Sequence, residues 1–162
     1  MPAKSQVPAF IVHDRAAMRA VFDAAGRRAL RIESPVGFAG FAGAGFWAAL
    51  LADARTDYPQ AKIEAVLDCG EEPGTALAAI RAGVPAIRCR CPAPARARLA
   101  ALARAAGVAF IAGRRPKAHD LSIAPDAARA VTEIMAPRRA LKKPRSSAIP
   151  EPKTKPRKRR KP

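Results

Sequence analysis

Short apolar runs alternate five times with alanine-rich stretches of helical spacing along residues 1–136, and no other feature constrains the fold as much. The clearest unit is 66–83, V-L-D-C-G-E-E-P-G-T-A-L-A-A-I-R-A-G. Residues 63–67 have strand character, Pro73 suits a first helical position, 76–82 is strongly helix-forming, and Gly83 suits a C-terminal cap. The same grammar predicts strands at 7–12, 29–32, 84–89 and 108–112. Helices are expected after Asp14, at 46–55 with Trp47, Leu50 and Leu51 buried, after Pro92, and after Asp126.

Strands and helices that alternate this way make an α/β domain over 1–136. The expected form is a five-stranded, mostly parallel sheet with helices on both faces, flavodoxin-like or Rossmann-like. Half of a βα barrel is the alternative, disfavoured because five strands leave a barrel unclosed. From Pro137 the composition changes. Twelve Lys or Arg face one acid, Glu151, among six prolines, so 137–162 is expected to be a disordered basic tail that carries most of the net charge of +17.

That tail is a polycation. Lys153, Lys155, Arg157, Lys158, Arg159, Arg160 and Lys161 would neutralise phosphates, with affinity falling as salt rises. No aromatic residue accompanies them, so binding to nucleic acid would be sequence-independent, and an anionic surface would satisfy the same charges. Three cysteines, an odd number, do not form a secreted disulfide framework, and the N-terminus lacks signal-peptide character; a cytoplasmic location is expected. Residues 34–52 carry no charge, but four glycines and a Ser-Pro start argue against a membrane span. Oligomeric state is not legible.

Parallel strands end at one rim, and the residues just past each predicted strand define the candidate site: His13 and Asp14, Ser34, Asp68 and Cys69, Cys89 to Cys91, and Gly113 with Arg114. His13, Asp68 and Cys69 are the catalytic candidates, a thiolate and imidazole pair being the chemistry such types could perform. The loop holding Gly37, Gly40, Gly43 and Gly45 could offer backbone amides to an anion, with Phe38 and Phe41 as a lid; it matches neither phosphate-loop fingerprint. Together with Asp14, Ser34 and Arg114 these glycines are the ligand-binding candidates. The Asp68 turn, with Glu71 and Glu72 beside it, would hold hydroxyls, an amine or a cation. Cys69, Cys89, Cys91 and His13 are zinc-ligand types without C-x-x-C spacing, so no metal is assigned, and the sequence names no cofactor. His119 and Asp120 are expected in a polar loop.

The V-L-D-C-G turn and the G-T-A-L-A-A-I-R-A-G helix after it resemble a group of small, functionally uncharacterised bacterial α/β proteins, over roughly residues 9–122. The same unit is also similar to one βα unit of the aldolase-type barrels. Neither resemblance implies an assigned activity, and Lys62 and Lys117 do not stand where an aldolase's Schiff-base lysine would. The functional expectation is therefore a domain that binds a small polar metabolite at the rim, with or without catalysis. The alternative is a non-enzymatic protein that associates with nucleic acid or another polyanion through its tail.

Overall fold

The computed structural model describes residues 7–136. In chain order these form β1 (Ala9–Ile11), α1 (Arg15–Ala25), β2 (Ala29–Glu33), α2 (Phe38–Phe41), α3 (Ala44–Asp57), β3 (Lys62–Asp68), α4 (Pro73–Arg81), β4 (Ala86–Arg88), α5 (Ala93–Ala105), β5 (Ala109–Ile111), β6 (His119–Asp120) and α6 (Ala127–Met135). Two helices start on the side chains that sequence marks as caps: Asp14 Oδ1 accepts from the Ala17 amide at 2.7 Å, and Asp126 Oδ1 from the Arg129 amide at 3.0 Å. The basic tail lies outside the described residues.

The α/β class and the parallel sheet are as expected. The sheet has six strands in the order β5-β4-β3-β2-β1-β6, and every pair is parallel. The sixth strand corrects the reading of His119 and Asp120 as loop: they pair with Phe10 and Ile11. Two residues are too short a run to carry a periodic signal.

Strands that follow one another across the sheet, joined by right-handed crossovers, put their helices on one face. The contacts agree, because α6 packs on α1, α1 on α3, α3 on α4 and α4 on α5 in an unbroken series. Helices on opposite faces of a sheet cannot touch in this way. The expectation of helices on both faces therefore gives way to the alternative, the winding of a half βα barrel. Among the described residues β5 does not pair with β6, so the barrel is open.

Register explains how one face stays uncovered. Phe10, Leu30, Ile32, Ala65, Leu67 and Ile87 share the helix side of the sheet with Trp47, Leu50, Leu51 and Val131 from the helices, all at or below 8 % exposure. Alternate residues point the other way: Arg31 and Glu64 in one layer, Asp120, Ile11, Glu33, Val66 and Ala86 in the next, Asp68 and Arg88 at the top. Residues 112–118 then carry the chain from one edge of the sheet to the other. Five strand spacings of about 4.8 Å are about 24 Å along the sheet, and eight residue steps reach at most about 28 Å, so this short segment crosses the uncovered side as a strap and does not go round the helices.

Candidate functional site

The strap is anchored in the middle of the sheet by arginine. Arg115 Nη2 donates to the Ser34 carbonyl at 2.7 Å and to Asp68 Oδ2 at 3.2 Å, while its Nε lies 3.0 Å from Glu33 Oε2. From β4, Arg88 Nη2 donates to Glu33 Oε1 at 2.8 Å and Nη1 to the Gly113 carbonyl of the strap. Arg90, more exposed, stands 3.7 Å from Asp68 Oδ2. Three guanidinium groups thus surround two carboxylates, and Glu33, Asp68 and Arg88 are each no more than 1 % exposed. Burying ions costs several kcal/mol each by order of magnitude, a cost that mutual attraction and hydrogen bonds offset only when geometry is good. Here it is incomplete: Arg88 Nε is buried without a partner, and Arg115 Nε meets Glu33 Oε2 out of line for a hydrogen bond.

Asp68 closes the last strand turn before α4. Its Oδ1 accepts from the Gly37 and Gly70 amides, both at 2.9 Å, and its own amide donates to Ser34 Oγ at 2.8 Å. Gly37 and Gly70 both have positive φ, +67° and +62°, and a Cβ on Gly70 would stand 3.5 Å from the Gly37 Cα. Two glycines let the β2 and β3 turns approach closely enough to share one carboxylate. Ser34, Gly37 and Asp68 are therefore brought together, as the rim reading expects. The Gly37 amide, however, serves the protein's own Asp68.

The rest of the glycine-rich loop folds locally. Gly40 sits in the short helix α2, Gly43 is the N-cap of α3 and Gly45 lies in its first turn, with no side-chain cap at that end. The phenylalanines divide. Phe38 is buried against Trp47, with ring centroids 5.9 Å apart, whereas Phe41 is 74 % exposed.

Cys69 lies one residue beyond Asp68 and therefore on the other side of the sheet, within the helix-packed core. Burial, with Cys89 and Asp68 adding to it, pushes its thiol up to about 12. Cys89 is pushed up to about 11, again chiefly by burial and then by its hydrogen bond with Cys91. Thiolate chemistry needs the opposite shift. His13 stands with Asp14 instead, Nε2 at 3.1 Å from Asp14 Oδ2, and among the described residues no hydrogen bond joins it to Cys69. The catalytic trio is thus divided between two faces. Among the described residues no group of three or more His, Cys, Asp or Glu side chains is arranged to hold a metal ion.

Asp120 adds a carboxylate to the β6 end of the rim. Its acidity is raised chiefly by the Ser122 hydroxyl, 2.6 Å away, then by the Ser122 amide and the nearby charges of His13 and Arg115, which together lower its pKa against partial burial. Arg114 is exposed beside the anchored Arg115. Sequence reasoning named Asp68, Ser34 and Gly37, but it missed Glu33, Arg88 and Arg115 as partners. The signal existed in β2, where Leu30 and Ile32 alternate with Arg31 and Glu33; one charged face is what a sheet covered on one side shows.

No protein-family model matches this chain, and no curated protein matches it in sequence. Among the described residues, no helix is long and apolar enough to cross a membrane.

Proposed function

We propose that the folded domain binds a small polar metabolite bearing an acidic group at the rim between Asp68 and the 112–118 strap. The supporting observation is the cluster, largely buried except at Arg90, in which Arg88, Arg90 and Arg115 outnumber Glu33 and Asp68, with Arg88 Nε unpartnered. Side-chain charges held at strand ends by a rigid sheet are the usual material of a ligand site. Arg90 is the natural first contact, because it is half-exposed and only weakly engaged by Asp68. A carboxylate or phosphate would take up its spare donors in bidentate fashion. Thiol catalysis has no part in this reading, since Cys69 faces the helix core and its thiol is raised. Of the glycine-rich loop, only Gly37 touches this site, through its hydrogen bond to Asp68.

Native mass spectrometry of the freshly purified chain tests the proposal. The expected result is a fraction carrying a small acidic molecule above the 17.1 kDa chain mass, lost in Arg90→Ala. Retention unchanged in that variant, or a bare chain in both, would reject it. Association with a polyanion through Lys153 to Lys161 is a separate reading supported by composition; it predicts salt-sensitive binding to any oligonucleotide sequence, lost when 137–162 is removed.

A further inference from the structure

We infer that the seam between α4 and α5 is a docking groove for an acidic amphipathic helix of a partner protein. Two adjoining hollows, of about 270 and 580 Å³, share Leu77 and run along the seam. Their floor is apolar. Leu99 is buried, Leu77 is half-buried, and Leu102 projects with 48 % of its surface exposed. The hollows exist because Gly74, Ala95 and Ala105 stand where longer side chains would fill them. The 13-residue α5 gives the groove a length of about 20 Å, enough for three to four turns of a docked helix.

Charge selects the occupant. Helices α4 and α5 together carry four Arg and no Asp or Glu, whereas α1, α3 and α6 together carry four Arg and four acids. Outside these two helices Arg15, Arg19 and Arg129 are ion-paired with Asp53, Asp57 and Glu133, while Arg27 and Arg55 are in none of the ion pairs among the described residues. Arg81 and Arg98, which wall the groove, have no ion-pair partner among the described residues. An apolar floor between unmatched arginines fits a helix with a leucine stripe flanked by carboxylates. The chain's own tail is unsuited, because it carries twelve bases against one acid. Nucleic acid fits the charge but not the floor, which has no aromatic ring for a base to stack on.

The test uses the full chain and two fluorescein-labelled peptides of about 15 residues, matched to the groove length. Both contain the same leucines and glutamates; in one the leucines form a helical stripe, in the other their order is scrambled. Anisotropy titrations at physiological salt are expected to show the striped peptide binding at least about tenfold tighter than the scrambled one. Leu102→Glu, and separately Arg81→Glu with Arg98→Glu, are expected to abolish that advantage. All three positions are exposed, so circular dichroism and thermal unfolding should be unchanged. Equal binding of the two peptides would overturn the inference, since charge alone would then explain it. So would an advantage that survives both variants. An oligothymidylate whose binding falls with the arginine variant, while neither peptide binds, would assign the face to nucleic acid instead.

Discussion

The two faces of this sheet are made by the same strands, one residue out of step, and they follow different physics. On the helix side Phe10, Ile32, Leu67 and Ile87 are held by close packing. On the other side Glu33, Asp68 and Arg88 are equally hidden from water, yet what covers them is a single strap pinned by Arg115. The first face stabilises by removing apolar surface, with about 1.5 to 3 kcal/mol for each large side chain. The second gains little net stability from its ions but is specific, because each charge tolerates few arrangements. The proposed ligand site lies on the second face, where groups can change partners.

The sharpest way to break this comparison is Glu33→Ala. It leaves the Arg88 guanidinium buried beside the strap with no anion on that side, and the expected loss in urea unfolding is about 3 to 5 kcal/mol. Replacing both partners by apolar residues of similar volume, Glu33→Leu with Arg88→Met, should recover most of that loss. A Glu33→Ala chain as stable as the parent would mean that water already reaches the cluster, and the face would not be the dry counterpart of the core. On the packed side Leu67→Ala should cost about 2 to 5 kcal/mol through lost burial and the remaining cavity. No double substitution should rescue it in the same way.

Asp68→Asn separates strap from sheet at a smaller expected cost, about 1.5 to 3 kcal/mol for a hydrogen bond to a charged group. The amide oxygen can still accept from Gly37 and Gly70, but its nitrogen would meet the Arg115 donors. The strap should then open locally. Limited trypsin digestion read by mass spectrometry should show faster cleavage after Arg114 and Lys117 in this variant than in Leu67→Ala at matched global stability. Equal rates would show that Arg115 does not hold the strap down.

The strands and main helices were legible because each carries its own pattern: an apolar run, a cap such as Asp14, a proline at the helix start such as Pro73. The one-sided winding was written in Leu30, Arg31, Ile32 and Glu33, but a five-residue alternation competes with the stronger prior that parallel sheets are covered on both faces. Arg88 could not be read as a buried ion from within a three-residue strand, since its partner lies 55 positions away. Arg115 was harder still, because a loop has no period and its role comes from the distance the chain must span. Asp68 and Cys69 are both legible as residues at the end of β3, and adjacency in sequence suggests adjacency in space. In a strand it means the opposite.

That separation makes a pH prediction that compares the two faces at neighbouring residues. In the folded chain the Cys69 thiol loses its proton only near pH 12, whereas an unfolded cysteine does so at about 8.5. Over that interval the folded state binds more protons than the unfolded one, so stability is complete below the unfolded value and falls as pH rises. The slope approaches about 1.4 kcal/mol per pH unit for this thiol. Urea titrations at pH 8 and pH 10 should therefore differ by about 2 kcal/mol from Cys69 alone, a difference that Cys69→Ala removes and Asp68→Asn leaves in place. If Asp68→Asn removed it instead, the thiol would be sensing the charged rim rather than the packed core, and the assignment of these two residues to opposite faces would fail.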